Sequence, residues 1–572
     1  MLAALATLGA IATAMLLGNP HAAAPALAPT IALRIIAFND FHGHLEPGEN
    51  SLPVPYPGDV GRSSPLRSGG AAYLATLIRE LRAEAPNSLT ISAGDLIGAS
   101  PLISGLFFDE PTIAVMNAIG LDINAVGNHE FDRGATELQR VARGGCRAPM
   151  GGRISCPNGR AYPGAQFPIL AANVTRGAQL LLPPADVREI DGVKVGIIGA
   201  VTRSTPAIVK PDGVAGLRFA AEAASINRVA AELRQQGVRT IIAVVHEGGE
   251  TDGGFDACDN PRGAIFEIER ELDRSIAVVL SGHTHRAYNC RIAGRPVTQA
   301  ASFGRLVTVI DLVIDRASGM VVAQQTQAKN IPVPNGLTTD PSLNRMYPPL
   351  APDPQVAAIV EDYRARAAPL ASQPAGRLAS EFDRIPSPGG DHALGRLIAD
   401  AQLAATRSQG AVIALTNPSG IRTDLIPRTD QSVTYADVYA AQPFGNALIT
   451  LTLTGAQLRS LLEQQFRAPE RARILQPSHG LSYVWDPKRP VGARIVPDSL
   501  RLAGARIEAE HNYRVTVNDF LATGGDRFTI LRDGTERSGG ELDVDALTDY
   551  LRAESAIRPL VPDRQPRIRR VN

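Results

Sequence analysis

Five short runs rich in Val, Ile, Leu and Ala lie between residues 31 and 285, and each ends at or just before Asp, Asn or His. Runs of this kind, bounded by Gly and polar residues, are typical of buried strands. The five segments read IALRIIAFND, SLTISAGD, DINAVGNHE, TIIAVVHEGG and IAVVLSGHTH. Open α/β sheets bind their ligands on loops at the carboxyl ends of strands, so the pattern predicts that these polar groups share one edge of a sheet.

The polar groups in the five segments suit a pair of metal ions. Two divalent cations about 3.5 to 4 Å apart need a shared anionic bridge, several neutral nitrogens and an open position. Imidazole favours transition metals, whereas carboxylate oxygens alone would favour Mg or Ca. The mixed set therefore predicts two divalent metal ions of a phosphoesterase, with Zn, Mn or Co expected and Mg or Ca as the alternative.

The motifs resemble a known family. The five segments are similar to those of the calcineurin-like metallophosphoesterases, and NPSGIR, QPFGN and NDFLATGGDRF resemble the C-terminal domain of secreted or periplasmic 5'-nucleotidases. That group includes UDP-sugar hydrolases and 2',3'-cyclic-nucleotide phosphodiesterases. The resemblance extends from about residue 31 to about residue 555. It implies an α/β (α+β layered) fold, in which a four-layer metallophosphoesterase sandwich precedes a smaller mixed α/β substrate-binding domain.

The resemblance also implies a ligand set in which Asp95 bridges the two cations. Many 5'-nucleotidases carry an amide at the place of His285, and this departure leaves the metal preference open. The implied ligands are Asp40, His42, Asp95 and His285 for one metal, and Asp95, Asn128, His246 and His283 for the other.

A catalytic pair is implied by the segment GNHEFD. His129 matches the family's catalytic histidine, which stabilises the transition state or protonates the leaving oxygen, while a hydroxide bridging the metals attacks phosphorus. Asp132 would hold the imidazole of His129 in its productive orientation. Other histidines match no family role, and we expect them to be ordinary surface residues: His21, His44, His392, His479 and His511.

The C-terminal motifs imply a nucleotide pocket. Phe444 and Phe520 would stack on the nucleobase, Arg422 would contact phosphate oxygens, and Asp526 would accept hydrogen bonds from the ribose. Weaker matches complete the predicted set: Arg384, Asn417, Gly420, Asn446 and Gly480. The chain departs from the family over Pro418, Ser419 and Gly420, where a Gly-Gly pair is usual, and at Pro388, where a second arginine is expected.

The chain is too long for one ordinary core, since it has 572 residues. Apolar runs alternate with helical stretches over residues 31–335, which predicts the metallophosphoesterase domain. A segment dense in Pro, Asn and Asp predicts a linker and connector helix over 336–374. The C-terminal 5'-nucleotidase domain is expected over 375–555, and a solvated tail over 556–572.

Export is predicted by the first 28 residues and by the cysteines. An uncharged apolar run and a small-residue stretch resemble a signal peptide over 1–28, although no Lys or Arg precedes the run. The four cysteines allow three pairings, and proximity along the chain favours Cys146 with Cys156 and Cys258 with Cys290. We expect a periplasmic or extracellular protein without a stable membrane span, either a monomer or a dimer.

The charge balance of the chain argues against some classes of binding partner. There are 57 basic and 57 acidic residues, so no overall field favours a nucleic acid polymer or an anionic membrane. The expected substrate is a nucleotide or a nucleotide sugar. The leading hypothesis is hydrolysis of nucleoside 5'-phosphates, with UDP-sugars as further substrates. The alternatives are a 2',3'-cyclic-nucleotide 2'-phosphodiesterase with 3'-nucleotidase activity, and an inactive nucleotide-binding surface protein.

Overall fold

The computed structural model describes residues 29–48, 51–57, 59–149, 153–157, 159–467 and 472–571. The expected signal peptide over 1–28 lies outside the described residues. Within the described ranges, no helix combines the length and the apolar character needed to cross a lipid bilayer.

Two six-stranded sheets form the first half of the chain. In spatial order, one sheet contains Gln327–Pro332, Leu306–Asp315, Thr30–Phe38, Ser88–Ser92, Ile123–Ala125 and Ile169–Leu170. The other contains Ala287–Ile292, Arg295–Ala300, Ile276–Ser281, Thr240–His246, Val193–Val201 and Ala185–Ile190. In each sheet four neighbouring strands are parallel.

Alternation along the strands explains how the two sheets pack. Leu33 and Ile35 of the first strand lie in an apolar core that also contains Val195 and Val244 of the second sheet. Ile36, on the opposite face of that strand, packs under helices. Helices Ala71–Ala83, Glu110–Ile119, Gly134–Arg143 and Pro354–Ala371 cover the first sheet, and Glu222–Gln235 and Ala264–Glu271 cover the second. The order helix, sheet, sheet, helix confirms the predicted four-layer sandwich.

The second half has its own sheets and helices. A five-stranded sheet contains Gln476–Pro477, Ile413–Thr416, Asn512–Asn518, Ala447–Thr454 and Thr535–Leu542, and a four-stranded sheet contains Ala505–Arg506, Arg501–Leu502, Leu481–Trp485 and Ile568–Arg570. Its helices are Ala393–Thr406, Tyr435–Ala441, Gly455–Glu463, Asp519–Ala522 and Asp543–Glu554. This mixed α/β unit is the smaller domain that the resemblance implied.

The expectation of a solvated tail over 556–572 is wrong for its last strand. Ile568–Arg570 pairs in parallel with Tyr483–Trp485, and the Ile568 side chain is fully buried. Arg567, just before the strand, forms an ion pair with Asp400 at 2.7 Å. Strand pairing, this ion pair and one apolar side chain in the core beside the sheet together hold the segment.

Shorter elements connect the layers. The small sheets are Leu217–Phe219 with Val174–Arg176 and Gln179–Leu180, Ser51–Tyr56 with Asp59–Arg67, Glu250–Asp252 with Asp259–Arg262, and Pro374–Arg377 with Ser432–Thr434. Short α-helices are Leu102–Gly105, Thr205–Ile208 and Pro341–Met346. The 3-10 turns are His129–Phe131, Pro211–Val214, Ala323–Gln325, Arg407–Gln409, Pro418–Gly420, Gln464–Phe466, Gly525–Arg527 and Thr529–Asp533.

The connector helix Pro354–Ala371 belongs to both halves. The Asp353 carboxylate caps it by accepting the backbone N–H of Gln355 at 3.0 Å and of Val356 at 3.1 Å. Val356 is buried against the first half, whereas Ala367 joins an apolar cluster that contains Leu106 and Tyr439. The two halves therefore share packed apolar surface as well as the covalent connection.

Both disulfides predicted from proximity along the chain are present. Cys146 is bonded to Cys156, and Cys258 is bonded to Cys290. The second bond ties the loop region before the last metal-ligand segment to the strand that follows it. Disulfides of this kind persist in oxidising compartments, which fits the expected export.

Candidate active site

The five polar segments converge because five parallel strands end at the same edge of the sandwich. Three of these strands belong to the first sheet and two to the second. The converging side chains form three groups, and within each group the possible ligand atoms lie within 4.8 Å of one another. The groups are Asp40 with His42 and His285, His42 with Asp95 and His129, and Asp95 with His246 and His283. The predicted ligands therefore lie together in the fold.

The loops that present these ligands are held in unusual backbone conformations. Asp40, His42 and Asp95 have φ of 48°, 48° and 50°, and His283 and His285 have φ of 73° and 57°. Positive φ is uncommon for residues other than Gly and costs energy unless the surroundings compensate for it. Five of the seven predicted metal ligands share this conformation. The backbone of these loops therefore directs the five side chains towards one point.

The first ligand group surrounds the Nε2 atom of His42. This atom lies 3.1 Å from Nε2 of His285, 3.9 Å from an oxygen of Asp40 and 3.7 Å from Oδ2 of Asp95. Oδ1 of Asp40 lies 3.3 Å from Nε2 of His285. Four donor atoms thus face one small volume.

The second ligand group surrounds the Nε2 atom of His246. This atom lies 3.0 Å from Oδ2 of Asp95 and 3.2 Å from Oδ1 of Asn128. Oδ2 of Asp95 is therefore shared by both groups. This is the position required of a bridging carboxylate.

The protonation of the histidines suits metal binding. Nδ1 of His42 donates to the carbonyl of Gly98 at 2.8 Å, and Nδ1 of His246 donates to the carbonyl of Ala93 at 2.7 Å. Since a carbonyl only accepts, each Nδ1 carries a hydrogen and Nε2 is the atom left to bind a metal, as metal-binding histidines require. Burial opposes protonation of His246, but the Asp95 carboxylate raises its pKa to about 10, so a bound cation would displace the proton on its Nε2. Burial also holds the pKa of His42 well below its usual range, so its ring is neutral. The donor set fits two divalent cations that share Asp95.

Glu130 supports this centre, although the sequence suggested no role for it. Its buried carboxylate accepts the backbone N–H groups of Asp95 at 3.0 Å, Leu96 at 2.8 Å and Gly127 at 2.7 Å. One side chain thus fixes the loop of the bridging carboxylate against the loop that carries Asn128. The signal was its place inside GNHEFD, but two of its three partners, Asp95 and Leu96, lie in another segment of the chain.

His129 and Asp132 form a hydrogen-bonded pair beside the metal ligands. Nδ1 of His129 lies 2.8 Å from Oδ2 of Asp132, and the backbone N–H of His129 donates to Oδ1 of Asp95 at 2.8 Å. Burial opposes protonation of His129, but the carboxylates of Asp132 and Asp95 outweigh it and raise the pKa of the ring. The Asp132 carboxylate therefore fixes the orientation of the His129 ring beside the metal ligands.

A cleft of about 1300 Å³ separates the two halves at this point. From the first half it is lined by Asn128, His129, Asp132 and His283, and from the second by Arg384, Asn417, Gly420, Arg422, Phe444, Asn446, Phe520 and Asp526. Gly480 does not line it and precedes strand Leu481–Trp485. The structure therefore places eight of the nine predicted substrate residues at one cavity with the predicted catalytic pair.

Arg422 differs from Arg384, another arginine of the cleft, in its polar contacts. Its guanidinium has no hydrogen-bond or ion-pair partner within the described ranges, and it lies 5.9 Å from the centre of the Phe444 ring. The carboxylates of Asp132, Asp95 and Asp40 all act on its pKa, which burial lowers overall. By contrast, Arg384 is already bonded to Asp424 at 2.8 Å. Arg422 is thus available to an anion bound at the metal ligands.

Asp526 is already surrounded by donors. Its Oδ2 accepts from Asn417 at 3.1 Å and from the Ser419 hydroxyl, and its Oδ1 accepts from Arg473 at 2.5 Å. Ser419 stands where the family usually has glycine, and no sequence motif indicated Arg473 here. A ribose hydroxyl would share this carboxylate with the protein's own donors.

Comparison with known proteins identifies the two halves. A family model of calcineurin-like phosphoesterases matches residues 33–287, and one of the 5'-nucleotidase C-terminal domain matches residues 370–533. The chain belongs to the calcineurin-like phosphoesterases that carry a 5'-nucleotidase C-terminal domain. It is therefore a hydrolase, and the family implies bound divalent metal ions.

Relatives of this phosphoesterase span most of its length. It is 26% identical to a probable 5'-nucleotidase of Treponema pallidum, over 92% of each chain. It is 31% identical to the endonuclease YhcR of Bacillus subtilis over 91% of its own length, but it spans only 40% of that protein. The solved 5'-nucleotidase precursor of Thermus thermophilus is 25% identical, with a TM-score of 0.72 over 95% of this chain and all of that one.

Two histidines of this phosphoesterase differ from the surface positions expected for them. His392 is buried as the N-cap of helix Ala393–Thr406, where its Nδ1 accepts the backbone N–H of Gly395 at 3.0 Å. His44 is half-buried and stacks on Phe303, with ring centroids 3.9 Å apart. His479 and His511 are exposed as predicted, and His21 lies outside the described residues.

Proposed function

We propose that this phosphoesterase hydrolyses nucleoside 5'-phosphates to a nucleoside and phosphate. The observation that carries the proposal is the guanidinium of Arg422, which has no polar partner among the described residues and reaches from the second half into the cleft beside His129. A cation available in this way next to a metal-binding group is suited to a phosphoryl group that carries two negative charges.

The phosphoryl end of the substrate would bind at the five converging strand ends. Asp40, His42, Asp95 and His285 would hold one cation, and Asp95, Asn128, His246 and His283 the other. Such a pair of ions, when bound, supplies Lewis-acid activation of a water and neutralises phosphoryl oxygens. Arg422 would neutralise a further oxygen and orient the ester by paired hydrogen bonds.

The leaving oxygen would take its proton from His129. Because Nδ1 of this ring is bonded to Asp132 at 2.8 Å, Nε2 is the nitrogen available to the ester oxygen. Asp132 keeps the ring in that orientation and stabilises its charged form. No covalent intermediate with the protein is required.

The nucleoside would occupy the part of the cleft contributed by the second half. Phe444 and Phe520 are both half-buried at its wall, where aromatic faces can stack on any base for about 1 to 3 kcal/mol each. Asp526 would accept from the ribose. The cleft volume of about 1300 Å³ exceeds the roughly 300 to 1000 Å³ of common ligand pockets, so we include UDP-sugars as substrates.

Phosphate release from purified, metal-loaded protein tests this proposal. AMP, UDP-glucose, 2',3'-cyclic AMP and glycerol 3-phosphate would be compared with Mn or Zn added, and we expect AMP to be turned over fastest. A faster rate on 2',3'-cyclic AMP would instead assign the chain to the cyclic phosphodiesterases. Absence of turnover on every substrate, with both metals bound, would favour an inactive nucleotide-binding protein.

We further propose that the protein works outside the cytoplasm, in the periplasm or the extracellular space. Two disulfides support this location because they persist mainly in oxidising compartments. N-terminal sequencing of the mature protein tests it: a start near residue 28 supports export, and an intact Met1 on cytoplasmic protein would contradict it.

A further inference from the structure

Arg153 joins the two halves of the chain at the loop that carries Phe444. Its Nη2 atom lies 3.2 Å from the hydroxyl of Tyr439, 3.1 Å from the carbonyl of Pro443 and 3.0 Å from the carbonyl of Phe444. The side chain is buried, so these charge-assisted hydrogen bonds are shielded from water. Nothing in the sequence motifs marked this arginine.

The segment that carries Arg153 is fixed to the first half just after this residue. The Cys146–Cys156 disulfide closes residues 146–156 into a covalent loop, here called the arm. The backbone N–H of Ile154 donates to the carbonyl of Leu106 at 2.8 Å, and the backbone N–H of Cys156 donates to the Glu110 carboxylate at 2.9 Å. The guanidinium is therefore held at a defined place rather than carried by a free loop.

On the other side of the contact, the QPFGN loop fits closely around Arg153. Gly445 has a φ of 61°, and a side-chain carbon there would lie 3.1 Å from Nη2 of Arg153. The Phe444 ring projects from this loop and stacks on the imidazole of His129, with centroids 5.8 Å apart and planes inclined by 21°. Arg153 thus donates hydrogen bonds to the loop whose Phe444 ring lies against His129.

A second polar link between the halves is weaker. Lys210 and Asp519 form an ion pair at 2.8 Å, but their side chains are 37% and 29% exposed. Ion pairs exposed to water contribute less to stability than hydrogen bonds to buried charged groups do. Arg153 is the stronger of these two polar links.

We propose that Arg153 is a positioning residue for nucleotide binding: from the disulfide-closed arm of one half, it holds the Phe444 loop of the other half beside His129. It does not touch the reacting atoms. The proposal rests on the proposed function, since it assigns to Phe444 the task of stacking on the base.

The test compares Arg153→Met with Arg160→Met, which removes an exposed arginine from the same region. AMP and glycerol 3-phosphate serve as substrates, because the second has no ring to stack. We expect Arg153→Met to raise KM for AMP about tenfold with kcat little changed, and to leave kcat/KM for glycerol 3-phosphate unchanged. Arg160→Met should match the unaltered protein on both.

Two results would overturn the proposal: an unchanged KM for AMP, or an equal loss on both substrates, which would indicate damage to the metal centre. Arg153→Lys is a second variant in case the methionine variant misfolds, because lysine keeps the charge but reaches fewer acceptors. Its KM for AMP should fall between those of the unaltered protein and Arg153→Met. If the unaltered protein turned over neither substrate, the proposed function would fail. If the unaltered protein turned over AMP and Arg153→Met had the same KM, only the role of Arg153 would be refuted.

The disulfide provides an independent arm of the test. If the disulfide-closed segment acts through Arg153, the double change Cys146→Ser with Cys156→Ser should also raise KM for AMP. Combining this double change with Arg153→Met should then raise KM little further. Additive effects of the two changes would contradict this coupling.

Discussion

The imidazole of His129 and the ring of Phe444 stack with their centroids 5.8 Å apart, although they belong to opposite halves of the chain. Arg422 lies on the same aromatic ring, 5.9 Å from its centre. The candidate base-stacking ring therefore lies next to both a candidate proton donor and a candidate phosphate ligand. Under the proposed function, this arrangement would place the nucleoside beside the group that protonates the leaving oxygen.

Replacing His129 should separate catalysis from metal binding. We expect His129→Ala to lower kcat for AMP by about 10²- to 10⁴-fold, because it removes the proton donor to the leaving oxygen. Metal content, measured by elemental analysis, should stay near normal, since the bridging carboxylate and the other ligands remain. Asp132→Asn should cause a smaller loss. Full turnover by His129→Ala with both metals present would refute the assigned role.

Glu130 offers a test of the metal centre that leaves every predicted ligand in place. Its carboxylate accepts three backbone N–H groups, and the amide of Glu130→Gln can accept through only one atom. We expect metal affinity, measured by competition with a chelator, to fall about 10- to 100-fold. Glu137→Gln, which alters another buried glutamate of the same half, should leave the affinity unchanged. Equal effects of the two changes would argue against a specific role for Glu130.

Arg422 and Arg384 line the same cleft but differ in their partners. Arg422 has no ion-pair partner among the described residues, whereas Arg384 is bonded to Asp424. We expect Arg422→Met to lower kcat/KM for AMP by about 10- to 100-fold, the worth of a hydrogen bond to a charged group. Arg384→Met should cost much less. Steady-state kinetics decide the matter, and an equal loss in both variants would contradict the assignment.

Asp543 should make stability depend on pH. Burial raises its pKa to about 7, although Asn446 donates to it. The folded protein then keeps a proton that the unfolded chain releases at about pH 4, so the stabilisation is complete below pH 4 and is lost as pH rises towards 7. In Asp543→Asn, the Tm relative to the unaltered protein should rise from pH 4 to 8. A constant difference, like that expected of the exposed Asp549→Asn, would refute this.

The part of the site that could be predicted from the sequence is the set of metal-binding side chains at the ends of strands. Asp40, Asp95 and His246 follow buried apolar runs, and parallel strands bring their carboxyl ends to one edge whatever the details of packing. The alternation of these runs with helical stretches also predicted the layered fold. These features depend on local pattern, which the sequence carries directly.

Other features depend on contacts between distant segments, and no local pattern shows them. Arg153 contacts Phe444, which lies 291 positions further along the chain. Arg473 reaches Asp526 only because two loops meet at the cleft. Asn446 was expected near the base, yet its backbone and its amide both donate to Asp543. His392 and Ile568 were expected at the surface but are buried by packing that the second half supplies.

The central claim is that two metal ions sharing Asp95 are needed for hydrolysis of a nucleotide. The most direct measurement is phosphate release from AMP by chelator-treated protein as Mn²⁺ is added stepwise. The account predicts no turnover without metal, saturation at two equivalents per chain, and no recovery in Asp95→Asn. Full turnover in the chelated protein, or saturation at one equivalent, would contradict it.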